Sequence, residues 1–518
     1  MRILLLRPPR YVWPFNSETS AFWQPLGLLC LAAAVRRELP AAEIEIWDCP
    51  ARRWGWRTLQ RHLAQRPIDV LGVGEETVSS AEALRAAGLV RQLHPRCLIV
   101  AGGVHFAHTL ESTLRGGLVD VVVRGEGEVT FCRLLERAQD RSAWAGVAGL
   151  AFLDESNRVV CTPHRPLIAD MDELPFPAYD LVDMNDYGRG SRNHPGLVSI
   201  EHSRGCVDSC SFCILWKHMG GDGNGTIRPV YRTKSPQRSF QEVGELFHRF
   251  GRRTFGWVDP TFNADAAWSD AWAEAMLGSD LMDASGRART LHTAWVRADG
   301  IIRDHKQGVL DKLVRAGLRQ VMIGVERDGD DDLARLGKHH HGAGVCRQAF
   351  DILRRHYPQV YTIGTVIFGL PGDRMADLRR LAGWQYELGM DYCFLIPLTP
   401  NPGTAFAVQA GQADRTEASG AVDLARYNFH TPVLPTSALD LRQLESIYWR
   451  VMFRPGWRRL RTTGRQLLLE RDRRKRRVTM ALLARGTSIA VRSLLRKVAH
   501  PASKEPALYS RKPSWYDE

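Results

Sequence analysis

Short apolar runs alternate with amphipathic segments over about the first 140 residues of the chain. The run RILLLRPP is apolar throughout and ends at prolines, which predicts a buried strand, and EIEIWDC alternates with a period of two, which predicts another. Between them, PLGLLCLAAAVRREL places its apolar residues at the spacing of a helix. Strands and helices that alternate in this way predict an α/β fold with a doubly wound, Rossmann-like parallel sheet.

The loops after the predicted strands indicate where this sheet would bind a ligand, because ligands of such sheets lie at the carboxyl ends of the strands. These loops are RPPRY, GVGEET, AGGVHF and RGEGE. Three of them are rich in glycine, which lets the backbone approach a large ligand closely. A dinucleotide site is not favoured, since no G-x-G-x-x-G follows the first strand.

A second α/β pattern follows a connector that contains DELPFPAYDL. Its predicted strands are GLVSIEHSRG, FGWVDPTF, TLHTAWVRADG, GLRQVMIGVE, VYTIGTVIFGLPG and YCFLIPLTPNPGT. Six strand–helix units predict a partial (β/α)6 barrel of the TIM type, with its chemistry at the carboxyl ends of the strands. We therefore expect an N-terminal domain at 1–143, a connector at 144–195, the barrel at 196–410 and a helical, basic region at 411–518.

The positive charges that give the chain its net charge of +13 are concentrated in the C-terminal region. From Arg450 onward there are 19 Lys and Arg against 5 Asp and Glu, which leaves the rest of the chain close to neutral. Within this region, MALLARGTSIAVRSLLRKV predicts an amphipathic helix with Arg485, Arg492 and Arg496 opposite its apolar stripe. Such a helix suits an anionic membrane surface or an acidic partner, although it could equally pack its stripe on the barrel. Nucleic acid is not expected, since no nucleic-acid-binding motif accompanies the charge.

Length and composition are those of an ordinary globular protein: 518 residues, 44% of them hydrophobic and 25% charged. No apolar run reaches the length of about 20 residues that crosses a bilayer. The ten cysteines are scattered apart from one trio, so a disulfide framework is not indicated. We expect a cytoplasmic protein, with possible peripheral contact at the inner membrane face through the basic helix.

The trio is Cys206, Cys210 and Cys213, in the segment SRGCVDSCSFC directly after a predicted strand. Metal centres bound only by cysteine normally take four thiolates, so this C-x3-C-x2-C spacing leaves one coordination position open. Three thiolates can hold three irons of a four-iron cluster and leave the fourth iron to an outside ligand. The alternative from spacing alone is a structural zinc ion, with His202 or His218 as the fourth ligand.

With the aromatic Phe212 before its last cysteine, the trio resembles the signature of the radical S-adenosylmethionine (SAM) enzymes. The resemblance implies a [4Fe-4S] cluster on Cys206, Cys210 and Cys213. It also implies that the unique iron chelates the amino and carboxylate groups of SAM. An electron from the cluster would then break the carbon–sulfur bond and give a 5′-deoxyadenosyl radical.

Later strand ends are similar to those that bind SAM in this family. The resemblance assigns cofactor binding to Phe212, to Asp259 in FGWVDPTFNAD, to Arg297 in WVRADGI, to Glu326 in VMIGVE and to Gly369 in IFGLPGD. The structural alternatives are a helix N-cap for Asp259, an ion pair between Arg297 and Glu326, and a turn glycine at Gly369. Arg327 stands where the family commonly has serine.

The N-terminal segments PLGLLCLAAAVR, AGGVH and DVVVRGEGE resemble the cobalamin-binding domain that precedes the barrel in one radical SAM subgroup. The D-x-H-x-x-G motif, which supplies the lower cobalt ligand in other cobalamin domains, is absent. The resemblance implies corrin contacts at the strand-end positions Pro9, Thr77, Gly102, Gly103, His105 and Glu126.

The function implied by the resemblance is cobalamin-dependent methylation of an unactivated carbon, through the adenosyl radical and methylcobalamin. The alternative within enzymes is a radical oxidative cyclase of the porphyrin type, which ARYNFHTPVLPTS and YWRVMFRPGW broadly resemble. A zinc-stabilised binding protein with a basic arm is the alternative from another class. The expected partners are a small-molecule, lipid or pigment substrate and an electron donor such as flavodoxin or ferredoxin. No general base is assigned, and Tyr392 is either a substrate contact or a packing residue.

Overall fold

The computed structural model of the protein describes residues 1–10, 23–74, 76–188, 196–221, 227–338, 342–411, 424–446, 476, 480 and 514–518. It contains a seven-stranded sheet, a six-stranded sheet and a two-stranded hairpin. The strands are β1 (Arg2–Arg7), β2 (Glu43–Asp48), β3 (Val70–Gly74), β4 (Leu98–Gly102), β5 (Val121–Val123), β6 (Leu150–Leu153), β7 (Val159–Cys161), β8 (Leu197–Ile200), β9 (Ser203–Gly205), β10 (Tyr231–Thr233), β11 (Thr254–Trp257), β12 (Leu291–Val296), β13 (Leu318–Glu326), β14 (Tyr361–Phe368) and β15 (Tyr392–Pro397).

Helices connect the strands in both parts of the chain. They are α1 (Leu26–Glu38), α2 (Cys49–Arg52), α3 (Trp56–Gln65), α4 (Ser80–Leu93), α5 (Gly103–Phe106), α6 (Leu110–Arg115), α7 (Gly127–Leu135), α8 (Leu215–His218), α9 (Pro236–His248), α10 (Ala266–Leu277), α11 (Ala298–Lys306), α12 (Val309–Arg315), α13 (Asp330–Arg335), α14 (Ala343–His356), α15 (Met375–Leu388) and α16 (Ala405–Gln409).

The N-terminal sheet has the strand order β2-β1-β3-β4-β5-β6-β7, and its first five strands are parallel. On β1, Ile3 and Leu5 pack with α1 and α7 on one face, and Leu4 and Leu6 pack with α3 and α4 on the other. Because both faces are covered by helices, this strand is apolar throughout rather than alternating. The predicted doubly wound sheet is confirmed.

The N-terminal sheet continues beyond the boundary expected at residue 143. Strands β6 and β7 pair antiparallel along its edge, within the stretch assigned to the connector. Their pattern predicts strands, but the sequence does not indicate which sheet they join. We therefore propose that the N-terminal domain ends after Cys161.

The second sheet has the order β15-β14-β13-β12-β11-β8, and every neighbouring pair is parallel. This confirms the predicted partial barrel of six strands. Strands β9 and β10 form a separate antiparallel hairpin at the carboxyl end of β8. The cysteine trio follows β9, so the hairpin carries the candidate cluster loop.

One continuous hydrophobic core joins the two domains. The Trp23 ring lies so close to Gly256 on β11 that a side chain there would overlap it. The Gln24 amide bonds to the backbone of Ser199 on β8 in both directions, accepting from its N–H at 2.9 Å and donating to its carbonyl. The N-terminal domain is thus fastened directly to the first two barrel strands.

The C-terminal region is described only in part. Residues 514–518 pack on the N-terminal domain, where the Trp56 N–H donates to the Tyr516 carbonyl at 3.1 Å. The predicted basic helix, and most of the region expected to be helical, lie outside the described residues. Among the described residues, no helix combines the length and the apolar character needed to span a bilayer.

Candidate functional site

The candidate cluster loop begins directly after β9. Gly205 has a φ of +86°, and a Cβ at this position would overlap the Val230 carbonyl oxygen, so the turn requires glycine. Within the loop, the Cys213 N–H donates to the Cys210 carbonyl at 3.2 Å. The Trp216 indole donates to the same carbonyl at 3.0 Å. The spacing of the trio therefore folds into one tight turn.

The rest of the barrel holds this loop from both sides. The Ser211 N–H donates to the Leu336 carbonyl at 2.9 Å, and the Ser211 carbonyl accepts from the Phe406 N–H at 2.9 Å. Phe212, which was expected to contact the cofactor, packs on the small apolar cluster formed by Leu336, Ile367, Leu370, Leu398 and Phe406. Its aromatic ring thus anchors the loop to β14 and to the segment after β15.

Burial of the loop disfavours the thiolate form of two of its cysteines, so a metal centre there must displace their protons. Burial raises the pKa of Cys210 to about 12 and that of Cys213 to about 11, so both are neutral thiols before metal binds. The Asp208 N–H lies 3.4 Å from the Cys206 sulfur and is directed at it. The described residues contain no group of His, Cys, Asp or Glu that converges as ligands of a single ion would. Cluster ligands need no such convergence, because each thiolate binds a different iron.

Of the two histidines offered as a fourth zinc ligand, His202 is engaged by other side chains. The buried His202 lies with its Nδ1 2.9 Å from Asp259, and its ring stacks on Trp268. His218, on α8, faces His108 with the ring centroids 5.7 Å apart. Burial lowers the pKa of His218 to about 4, so its ring is neutral.

Asp259 lies at the end of β11 and is fully enclosed. One carboxylate oxygen accepts from the N–H groups of His202 and Ser203, at 2.9 and 2.5 Å, and from the Ser203 hydroxyl at 2.8 Å. Burial alone would raise the pKa of Asp259, but His202 and these hydrogen bonds outweigh it and lower the pKa. Asp259 thus holds the turn between β8 and β9, and we propose a positioning role for it.

Arg297, at the end of β12, is directed at the cluster loop. Its guanidinium lies 2.9 Å from Asp208, between the first two cysteines, and 2.8 Å from Asp299. Burial lowers the pKa of Arg297, but these carboxylates outweigh it and raise the pKa. The Asn263 amide accepts from the Arg297 N–H at 2.8 Å and so fixes its backbone. Arg297 and Glu326 do not form the alternative ion pair, since Arg297 pairs with Asp208 and Asp299 and Glu326 pairs with Lys338.

Glu326 ends β13 in a left-handed backbone conformation, with a φ of +63°. This conformation is costly for a non-glycine residue, and the pairing of β13 with β14 shifts at the same point. The buried Lys338 ammonium donates to the Glu326 carboxylate at 3.0 Å and to the Gly324 carbonyl at 2.7 Å. Any side chain at Gly324 would collide with this pair. Lys338 was missed in the sequence, where no motif marks it.

Gly369 begins the turn after β14, with a φ of +83° and open space where a side chain would be. One Asp373 oxygen accepts from the N–H groups of Gly369 and Leu370, at 2.8 and 3.0 Å. The Arg327 guanidinium, only 1% exposed, donates to Asp373 and to Asp332, both at 2.7 Å. Arg327, which stands where the family commonly has serine, therefore holds the Gly369 turn in place through Asp373.

The expected corrin contacts of the N-terminal domain partly cluster. Thr77, after β3, and His105, after β4, meet with 3.2 Å between the threonine hydroxyl and Nδ1. Gly102 and Gly103 lead into α5, and Gly103 has a φ of +80°. Burial lowers the pKa of His105 to about 4, so its ring is neutral. The fifth position, Pro9, is buried just beyond β1.

Glu126, the sixth expected corrin contact, is bonded elsewhere. Its carboxylate accepts from Arg204 at 2.9 Å, from Arg232 at 3.0 Å and from the Ile168 N–H at 2.8 Å. Both arginines belong to the β9–β10 hairpin. The carboxylate thus faces the barrel domain and has little capacity left for a ligand.

His108 is a residue that the sequence analysis missed. It lies where the loop after β4 meets Gly403, against which its ring packs closely. Its Nε2 is buried without a hydrogen-bond partner in the described parts of the chain. Burial lowers the pKa of His108 to about 3. A buried neutral nitrogen beside the cluster helix α8 is suited to a polar group of a bound ligand.

Comparison with known proteins matches both halves of the chain. The profile of the B12 binding domain matches residues 14–135, and that of the radical SAM superfamily matches residues 200–384. An uncharacterized methyltransferase of Pyrococcus horikoshii is 27% identical, over 78% of this chain and 82% of the relative. The anaerobic magnesium-protoporphyrin IX monomethyl ester cyclase of Synechocystis is 24% identical, over 88% of both chains. The solved radical SAM methyltransferase TsrM of Kitasatospora setae is 20% identical, with a TM-score of 0.62 over 79% of this chain and 76% of TsrM.

Proposed function

Because the chain belongs to the radical SAM enzymes that carry an N-terminal B12-binding domain, we propose that it methylates an unactivated carbon of a small molecule. The observation that carries this proposal is the loop with Cys206, Cys210 and Cys213, which has no fourth cysteine. The barrel that bears this loop directly contacts the N-terminal, B12-binding domain through its first two strands. The similarity to the Pyrococcus methyltransferase over most of both chains supports methylation.

The residues present fit the three cofactors. Cys206, Cys210 and Cys213 would hold a [4Fe-4S] cluster, and Glu326, Lys338 and the Gly369 turn would receive SAM. Cobalamin would be bound by Thr77, Gly102, Gly103, His105 and His108, and Pro9 would contact it from just beyond the end of β1. When bound, these groups supply the electron, the adenosyl radical and the transferable methyl group.

The protein's own side chains orient and enclose the reacting groups. Arg297 and Asp208 fix the cluster loop, while Lys338 and Glu326 present a buried charged pair next to Gly337, which packs on the Cys210 backbone. Gly369 leaves room for a flat group to lie against bare backbone. We assign no general base, since hydrogen abstraction by a carbon radical moves no free proton.

The barrel face opposite its helices supports an apolar substrate. Trp295, Met322, Ile363 and Tyr392 lie beside one another in register across β12 to β15. Trp295 is 38% exposed, and Met322 and Tyr392 are partly exposed, although their side chains are apolar or aromatic. A row of this kind suits a lipid-like or aromatic small molecule. Tyr392 is then a substrate-facing residue in this proposal.

A radical oxidative cyclase is the second candidate, because the Synechocystis cyclase is similar over 88% of both chains. The two are separated by anaerobic reconstitution with iron, sulfide, hydroxocobalamin, a reductant and SAM labelled with a deuterated methyl group. We expect a brown protein, formation of 5′-deoxyadenosine, and deuterated methyl on the corrinoid. Deoxyadenosine without label on the corrinoid would favour the cyclase, and a colourless protein that binds zinc instead would refute both.

We also propose two partners, an electron-donor protein and an anionic membrane surface. A flavodoxin or ferredoxin would deliver the electron, since this chemistry requires a reductant. The basic segment near Arg485, Arg492 and Arg496 would hold the enzyme at an anionic membrane. Replacing the three arginines by glutamine should reduce co-sedimentation with phosphatidylglycerol vesicles, and unchanged sedimentation would refute the membrane proposal.

A further inference from the structure

The two domains meet at a buried set of charges beside the first cluster cysteine. We call this set the interdomain lock; it consists of Glu126, Glu128, Glu201, Arg204 and Arg232. Glu126 lies between β5 and α7, and Glu128 lies in the first turn of α7. Arg204 lies on β9, two residues before Cys206, and Arg232 is its partner on β10.

The hydrogen bonds of the lock converge on Arg204 and Glu126. Arg204 donates to Glu126 at 2.9 Å, to Glu128 at 2.6 Å and to Glu201 at 2.7 Å. Arg232 donates to both oxygens of Glu126 at 3.0 Å. One carboxylate of the N-terminal domain is therefore held by both strands of the hairpin that leads into the cluster loop.

Burial makes these pairs sensitive to geometry. The side chains of Glu126, Glu128 and Arg204 are only 5–7% exposed, and that of Arg232 is 11% exposed. Buried ion pairs add little net stability compared with apolar packing, but they penalise any arrangement that separates the partners. Charges in such a place specify one relative position of two elements.

We propose that the interdomain lock sets the position of the corrin-binding edge relative to the cluster, with Glu126 as a positioning residue rather than a corrin ligand. This inference rests on the proposed function, because only an enzyme with both cofactors needs such a fixed separation. Reactions between bound groups are sensitive to displacements of about 1 Å.

The test uses variants from opposite sides of one pair, Glu126→Gln in the N-terminal domain and Arg232→Gln on the hairpin. Glu111→Gln is the matched control, because Glu111 pairs with Arg115 on the exposed surface of the same domain. In the reconstituted full-length protein we measure hydroxocobalamin affinity and the magnetic interaction between cob(II)alamin and the reduced cluster by electron paramagnetic resonance. In the protein without cofactors we measure hydrogen exchange.

Both lock variants should keep hydroxocobalamin affinity within about twofold of wild type and alter the magnetic interaction alike. Amide exchange over 121–130 and 203–205 should become at least about tenfold faster in both, and the control should match wild type. A loss of affinity in Glu126→Gln alone would show that Glu126 contacts the corrinoid, which would overturn the proposal. An unchanged magnetic interaction would overturn it too.

If the neutral variants do not fold, Glu126→Asp and Arg232→Lys replace them, under the same requirement of matching effects. Hydrogen exchange needs neither cofactor, so it tests the lock even if iron or corrinoid does not bind. Absence of iron in the wild-type protein would count against the proposed function, whereas unchanged exchange in both variants would count against the lock alone.

Discussion

Two regions of the molecule are built by different means. The first is the cluster side of the barrel, formed by the strand ends at Arg297, Glu326 and Gly369. The second is the corrin edge of the N-terminal sheet, formed by Thr77, Gly102, Gly103 and His105. On the cluster side, Arg297, Glu326 and Gly369 each belong to a network of charged or backbone hydrogen bonds around one loop. At the corrin edge, Thr77 and His105 share one hydrogen bond between uncharged groups. At these positions the first region is held by charged groups and the second by an uncharged hydrogen bond. Substitutions should therefore cost much more on the cluster side.

The largest effect is expected from the cysteine trio. Replacing Cys206, Cys210 and Cys213 by serine should reduce bound iron to background and abolish SAM cleavage, because no other thiol group in the described chain is arranged to take their place. Iron and sulfide analysis of anaerobically purified protein, with the visible absorbance, measures this. Cys161→Ser is the control, since that thiol is exposed on the N-terminal domain. Iron retained by the triple variant would refute the cluster assignment.

The second largest effect is expected at Arg327, which holds the Gly369 turn in place through Asp373. Arg327→Ser would leave the buried Asp373 without its cation, so we expect a loss of about 3–5 kcal/mol in the free energy of unfolding. SAM affinity should fall as well, because Asp373 also holds the backbone of Gly369. Chemical denaturation and calorimetric titration measure the two quantities.

Arg335→Ser is the matched control for this prediction. Arg335 pairs with Asp332, as Arg327 does, but its side chain is 74% exposed, so its loss should change stability by less than about 1 kcal/mol. Equal effects of the two substitutions would show that the turn does not depend on buried charge.

The sequence predicts the two regions unequally, and the reasons are physical. The strands of both sheets follow from local patterns, because helices cover one or both faces and impose apolar periodicity. The cysteine spacing is local too, since all three thiols lie in one turn. Lys338 and His108 have no local signal, because each acquires its neighbours only when distant loops meet.

Glu126 shows how far a motif at a strand end can be interpreted. The turn RGEGE lies at a strand end, which correctly predicts that it faces another part of the molecule. The sequence does not indicate whether that part is a ligand or a domain. Arg204 and Arg232, whose bonds to Glu126 support the proposal of a domain contact, lie 78 and 106 residues further along the chain.

A smaller and shared effect should appear on acidification. Burial lowers the pKa of His105 to about 4 and that of His108 to about 3, below the usual value near 6.5. Between pH 6.5 and 4 these histidines are protonated in the unfolded chain but not in the folded domain. Their contribution to the free energy of unfolding is therefore greatest above pH 6.5 and falls as the pH decreases. Thermal unfolding at pH 7.5 and 5 measures this. His108→Gln should weaken the dependence, and an unchanged slope would refute the role of His108.

The smallest effect is expected at the corrin edge itself. Thr77→Val keeps the shape of the side chain and removes only its hydrogen bond to the neutral His105, which should cost about 1 kcal/mol. Hydroxocobalamin affinity, measured by absorbance titration, should therefore fall by no more than about tenfold, while bound iron stays unchanged. Ser112→Ala, which removes a hydroxyl on α6 that donates to the Thr109 carbonyl, is the control. A loss of iron in Thr77→Val would mean that the corrin edge depends on the same charged network as the cluster, and that the two regions are not built differently.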